Sequence, residues 1–242
     1  MDHARDHRPR PVEEERAERD RLERVYGAYS SDPYYTKIWT GDAARFILER
    51  KWEDIGRMLG AEGVDTATAR LLDLGAGSGG DCDRFRRLGL RPERIVALDL
   101  LRDYPRLARR SHAWLAALQA DGALLPLRDG SFDVVYQSTM LSSVLDRDRR
   151  TRILHEVRRV LARRGLFVSY DTRYPNPWNR NTRPVSSAEI TAAFPGCRVR
   201  VKSTTPIPQL IRLFRFLPPA VWRAIERIPP LRSHLLVVVR KA

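Results

Sequence analysis

Apolar positions change rhythm along this chain, and the change divides it. Between residues 42 and 59, Phe46, Leu48, Trp52, Ile55 and Leu59 recur at helical spacing, which predicts an amphipathic helix with Asp42 as its N-cap. Past the loop GAEGVDTATA the apolar residues gather into short runs separated by helical stretches. Strands are predicted at 70–74, 94–99, 116–120, 132–137, 165–171, about 197–204, and 234–240. Such alternation favours a parallel sheet with crossover helices, a doubly wound α/β fold. The helix over 147–164 has the clearest buried stripe, Ile153, Leu154, Val157, Val160 and Leu161, and Gly165 is its predicted terminator. Ser186-x-x-Glu189 is a capping box, opening a short helix that stops before Pro195.

The flanks read differently. Residues 1–24 are nearly all charged and are expected to be a disordered, frayed tail leading into an exposed helix. Residues 25–60 form a helical, aromatic cap in which Tyr26, Tyr29, Tyr34, Tyr35 and Trp39 crowd together. Those rings either dock a helix on the core or close a lid over a ligand, and Tyr34 and Tyr35 are candidate substrate contacts. The main domain spans 61–242 and carries a lid-like segment at about 206–232, where Leu, Ile, Phe and Trp interleave with Arg between prolines. Three uses fit this segment: a lid over a hydrophobic substrate, peripheral contact with an anionic membrane, or core packing.

A chain of 242 residues can bury one α/β core plus a terminal extension. Its two cysteines, Cys82 and Cys197, are far apart and lack partners at metal-ligand spacing, so no metal site and no disulfide framework are expected, and the compartment reads as cytoplasmic. No apolar run approaches the roughly 20 residues of a membrane helix. The net charge of +14 invites a nucleic-acid reading, but 40 of the 44 basic residues are Arg, a skew that GC-rich coding alone produces. The expected partner is therefore a small-molecule acceptor, partly apolar, with no specific nucleic acid.

The chemistry concentrates in LLDLGAGSGGDCDRF at 71–85. A buried strand ends near Asp73 and passes into Gly75-Ala76-Gly77-Ser78-Gly79-Gly80, where positive φ and close ligand approach exclude larger side chains. As Gly75-x-Gly77-x-x-Gly80 it satisfies the dinucleotide fingerprint of nicotinamide enzymes. An acid at Asp73 instead suits a ligand bearing an ammonium and a sulfonium, and would repel a pyrophosphate. Asp99 ends the second strand about twenty residues on, where a carboxylate reaches ribose hydroxyls. The third strand ends in Asp121-Gly122, and the fourth begins at Phe132-Asp133-Val134-Val135.

With HEVRRVLARRGLFV at 155–168, these motifs over residues 70–171 resemble the class I S-adenosylmethionine-dependent methyltransferases of the group that includes ubiquinone and menaquinone biosynthesis enzymes. The resemblance implies a Rossmann-like, mostly parallel sheet of seven strands with one antiparallel, and S-adenosylmethionine as cofactor. It implies that Gly75, Ala76, Gly77 and Gly79 line the methionine portion with Asp73 behind. Asp99 and Leu100 would meet the ribose, Asp121 and Gly122 the adenine, and Gln137 and Ser138 would flank the ammonium and methyl. Arg163-Arg164-Gly165 departs from the Pro-Gly-Gly turn of many relatives.

A sulfonium is already an activated methyl donor, so the main task is aligning an acceptor in a dry pocket, and a base is optional. Polar and aromatic groups crowd the segment SYDTRYPNPWNRNTRP at 169–184. Asp171 and Tyr170 are the candidate catalytic residues, and Arg173, Asn176 and Trp178 candidate substrate contacts. The segment also resembles a DxRxxNPxN element of some bacterial methyltransferases of secondary metabolism. The leading expectation is methyl transfer to oxygen or nitrogen of a small metabolite. An RNA- or tRNA-modifying enzyme, a nicotinamide-dependent oxidoreductase and a catalytically silent relative are the alternatives.

Overall fold

Short runs of apolar residues, buried on both faces, become the strands of one sheet. The computed structural model describes residues 12–31, 41–177, 179–214 and 216–242. Its strands are β1 (Leu71–Leu74), β2 (Ile95–Asp99), β3 (Ala116–Gln119), β4 (Phe132–Ser138), β5 (Leu161–Thr172), β6 (Arg198–Pro206) and β7 (Arg232–Arg240). They form a seven-stranded sheet in the order β3-β2-β1-β4-β5-β7-β6. The first five pair in parallel, whereas β7 runs antiparallel to both β5 and β6. Every strand expected from the apolar runs is present.

The helices are α1 (Val12–Ser31), α2 (Asp42–Ala61), α3 (Gly80–Arg87), α4 (Asp103–Ser111), α5 (Arg147–Val160), α6 (Ser187–Ala193), α7 (Pro208–Leu213) and α8 (Pro219–Glu226). Alternation along the strands splits the core between the two faces. Leu72, Val135, Phe167 and Val237 pack with Ile153, Leu154 and Val157 of α5. Leu71, Val134, Tyr136 and Val168 pack with Trp52 and Ile55 of α2 and Phe85 of α3. Ser186 caps α6 as expected, its side chain accepting from Glu189 N at 3.1 Å.

Four boundaries differ from the sequence reading. The helix over 147–164 stops at Val160, because Leu161 already pairs with Phe132 in the sheet. Gly165 therefore lies inside β5, where an added Cβ would approach Ala162 O to 2.9 Å, and Arg164 takes φ 61° in the bulge before it. Gly41, not Asp42, is the N-cap of α2. The expected tail up to residue 24 is helical from Val12 onward, since α1 buries Leu22. Finally, the segment 206–232 packs on α2, where Ile211, Trp222 and Phe46 form a separate cluster. None of its described residues lines the main cleft. No helix among the described residues is long and apolar enough to cross a membrane.

The α2 helix is tied to the far edge of the sheet by buried carboxylates. Glu62, 1% exposed, receives Arg198 at 2.6 Å, Arg200 at 3.3 Å and Arg240 at 3.0 Å. Asp54, equally buried, receives Lys202 at 2.7 Å and the Thr204 hydroxyl. Glu62→Ala is expected to lower unfolding free energy by about 1–3 kcal/mol. The arginines it releases are partly solvated, which keeps the loss below that of a fully buried pair. Urea denaturation measures it, and a midpoint equal to wild type would show that the cluster is ornamental.

Candidate active site

The turn after β1 is held by its neighbours before any ligand is considered. Gly75 N and Ala76 N both donate to Leu98 O, at 2.8 and 3.1 Å, clamping the turn onto β2. Gly75 has φ 74° and a side chain there would collide with Met140; Gly77 has φ 53° and its missing Cβ faces open space. The first is a packing requirement, the second an approach path for a ligand. Gly79 is the left-handed N-cap of α3, and a Cβ on it would lie 2.6 Å from Leu115.

Above this turn a cleft of ≈490 Å³ opens at the carboxyl ends of β1, β2 and β4, where the strand order reverses. Asp73, Gly75, Ala76, Gly77, Asp99, Leu100, Asp121, Gly122 and Ser138, all expected at the cofactor, line it together. Asp99 accepts from Gly77 N and Leu101 N, each at 2.9 Å, so one carboxylate braces the glycine turn while facing the cleft. Asp121 accepts from Ala123 N at 2.8 Å and pairs with Arg149 at 2.6 Å.

Acidity is the dominant electrostatic feature. Asp81, in the first turn of α3, is paired with Lys51 Nζ at 2.6 Å and accepts from the Tyr136 hydroxyl at 2.7 Å. Lys51 is 5% exposed, bonds Ser138 Oγ at 3.0 Å and lies over the rings of Trp52, Tyr136 and Tyr170. Asp73 is buried with the Cys82 thiol as its donor at 3.3 Å. Burial first, then the neighbouring Asp81, push its carboxyl up to about 8. Asp99 is also raised, by burial.

The acceptor-side expectations are not gathered in the cleft. Asp171 is buried, accepting from Ser142 N at 3.1 Å, Gln137 Nε2 at 3.2 Å and Thr172 N at 2.7 Å, and burial pushes it up to about 6. Gln137 accepts from Met140 N and Leu141 N and donates to Ser169 Oγ, so it shapes the loop after β4 from beneath. Tyr170 points to the opposite face, bonded to Thr205 and stacked on His234, which burial pushes down to about 3 and keeps neutral. Arg173 turns away to Pro229 O, and Asn176 is exposed. Tyr34, Tyr35 and Trp178 lie outside the described residues. Burial against β7 explains the pattern: β5 is an interior strand, and its polar side chains serve the loops around them.

The sequence reading missed Lys51, Asp81, Arg149 and Leu22, and left open whether the aromatic cap that holds Tyr26 docks on the core or faces a ligand. Leu22 and Tyr26 line the cleft, and the Tyr26 hydroxyl bonds Ser143 Oγ at 2.7 Å. Tyr29 bonds Asn179 at 3.0 Å, joining α1 to the loop after β5. The available signal was the tyrosine density from residue 25 onward.

A family model described as a methyltransferase domain matches residues 72–169, a span containing every lining acid named above. Residues 72–169 are thus similar to a methyltransferase domain. Over 135 residues it is 38% identical to malonyl-[acyl-carrier protein] O-methyltransferase of Geobacter sulfurreducens, covering 52% of this chain and 46% of that protein. It is 31% identical over 137 residues to demethylmenaquinone methyltransferase of Streptomyces avermitilis, covering 56% and 55%. The chain thus spans about half the length of these curated relatives. The fold is shared with an S-adenosylmethionine-dependent methyltransferase from Mesorhizobium loti, at a TM-score of 0.55 and 21% identity over 76% of this chain and 96% of that one.

The cleft suits S-adenosylmethionine by charge and by space. A buried Asp73 held largely protonated is poised to ionise beside an ammonium or sulfonium, and the open side of Gly77 admits the ligand. Binding a cation should therefore release a proton. S-adenosylmethionine affinity is expected to rise between about pH 6 and 8, by up to about tenfold per unit, and to flatten in Asp73→Asn. In the ligand-free protein the raised carboxyl costs stability as pH climbs from about 4 to 8. Asp73→Asn should then melt a few degrees higher at pH 7.5, with the gap closing toward pH 4. Calorimetric titration and melting curves test both, and an unchanged pH slope would refute the proton coupling.

The loop beneath the cleft generates a second expectation. Asp171→Asn replaces a carboxylate accepting three bonds and should disorder residues 139–143, weakening S-adenosylhomocysteine binding about tenfold. A residue acting only as a base would leave that affinity untouched, so titration of the variant separates the two roles.

Proposed function

We propose that the protein transfers the methyl group of S-adenosylmethionine to an oxygen or nitrogen of a small-molecule metabolite with an apolar part. The carrying observation is the acidic cleft at the strand-order reversal, with Asp73, Asp81 and Asp99 grouped beneath a glycine turn. A dinucleotide reading is disfavoured by the same groups, because Asp81 occupies the helix start on which a pyrophosphate would rest. An RNA reading is disfavoured by α1, whose Leu22 and Tyr26 add an apolar and aromatic wall, with no cation, to the cleft. The curated relatives are named for a malonyl group on a carrier protein and for demethylmenaquinone, both metabolic acceptors.

The cofactor supplies an electrophilic methyl group with a good leaving group. Asp99, braced by the Gly77 amide, would hold the ribose, and the Asp73 carboxylate would balance positive charge. Leu22, Met140 and Val144 give the cleft apolar walls. Arg21 donates to Ser143 O and so steadies a residue of the cleft wall, with its buried Nη1 lacking a hydrogen-bond partner among the described residues. The S–CH3 bond breaks as the bond to the acceptor forms, and the acceptor's proton passes to solvent during or after transfer, so alignment and desolvation can supply the rate without a dedicated base.

Incubation with methyl-labelled S-adenosylmethionine and a metabolite extract should yield a labelled small molecule, and none from RNA. Arg21→Ala should then raise the acceptor KM about tenfold while cofactor affinity stays constant. Label entering RNA alone, or tight NADH binding without cofactor binding, would overturn this reading.

A further inference from the structure

The chain leaves β6 at Pro206 and returns at Arg232, and because β6 and β5 are both antiparallel to β7, this exit lies on the carboxyl edge that also carries the cleft. The intervening segment is firmly anchored. Phe46 and Trp222 rings meet at 5.3 Å, Trp222 Nε1 donates to Phe214 O at 3.0 Å, and Arg50 pairs with Glu226 at 2.7 Å. The connection between α7 and α8 nevertheless does not fold back onto the core. Leu213 is 65% and Phe216 76% exposed, and Ile228 beyond α8 is 49% exposed.

The same segment borders a recess of ≈360 Å³ lined by Arg50, Lys202, Arg223, Arg227 and Arg232 against Glu53 and Glu226. Most of these charges are committed: both glutamates pair with Arg50, Lys202 with Asp54, and Arg232 with backbone carbonyls. The guanidinium groups of Arg223 and Arg227 make no ion pair among the described residues. Within 206–231 the sequence has a single acid, Glu226, already neutralised.

We propose that the segment 207–231 docks the protein on an anionic phospholipid surface, with Leu213 and Phe216 entering the acyl boundary and Arg223 and Arg227 meeting headgroup phosphates. Exposed apolar side chains and unneutralised cations on one segment match an anionic interface in both its components. A second copy is a poor occupant, since self-pairing would bring guanidinium groups together without carboxylates between them. Because the segment leaves the cleft edge of the sheet, docking turns that edge toward the lipid and favours an amphiphilic acceptor. Only this last consequence rests on the methyltransferase reading.

The test is sedimentation of the full chain with phosphatidylcholine vesicles, with and without about 30% phosphatidylglycerol. Binding is expected to the anionic vesicles, at least about tenfold weaker to neutral ones, and reduced by salt. A Leu213→Asp/Phe216→Asp variant and an Arg223→Glu/Arg227→Glu variant should each lose about tenfold or more, while their melting shifts with S-adenosylhomocysteine match wild type. The proposal fails if no vesicles bind, if neutral and anionic vesicles bind equally, or if the apolar variant binds like wild type. It also fails if the apolar variant instead abolishes a concentration-dependent dimer. Loss of the cofactor response in every protein would sink the methyltransferase reading and leave docking standing.

Discussion

One buried ammonium holds the site together. Lys51 comes from α2, outside the span matched by the family model, yet its Nζ lies beneath the cleft, bonded to Asp81 and Ser138 and surrounded by three aromatic faces. Burying a cation is expensive unless charge and hydrogen bonds replace its water. Here Asp81 supplies the charge, Ser138 an acceptor, and the rings of Trp52, Tyr136 and Tyr170 the remaining contacts. These partners sit on α3, β4, α2 and β5, so satisfying one side chain fixes the mutual placement of four elements around the cleft.

The same pairing explains why Asp73 is left with an unmet need. Lys51 is 2.6 Å from Asp81, so its charge is largely claimed there, and Asp73 retains only a thiol donor. A buried and a partly buried carboxylate sharing one cation favour a proton on the buried one. An arriving ligand cation resolves that imbalance, which couples binding to charge rather than to shape alone. The site is built short of one positive charge, and stability is conceded where binding needs it.

Much of the framework was readable because strand cores announce themselves as apolar runs and their ends as acids or glycines. Asp73, Asp99 and Asp121 were legible for that reason, each standing at a strand end with a turn behind it. Gln137 and Asp171 have similar positions but were misjudged, because the loop they serve, 139–143, folds over them and takes their polar atoms. Side-chain direction at a strand end depends on register and loop path, which no local pattern encodes. Lys51 was hidden on an amphipathic helix whose charged residues all looked solvated. The early end of α5 escaped notice because Leu161 continues the helical stripe and also suits the strand that claims it.

The matched domain ends at Ser169, whereas α1, α2 and the segment 207–231 lie outside it. These parts meet on the carboxyl edge: α1 narrows the cleft through Leu22 and Tyr26, and α2 supplies Lys51 while carrying the segment on Phe46. The cleft-lining acids thus stand on or next to the rigid sheet and the start of α3, where positioning is cheapest, whereas Leu22 and Tyr26 stand on an added helix. Substitution on α2 is expected to be tolerated on its outer face and not at Lys51, because Lys51 is the cation paired with Asp81 at the cleft.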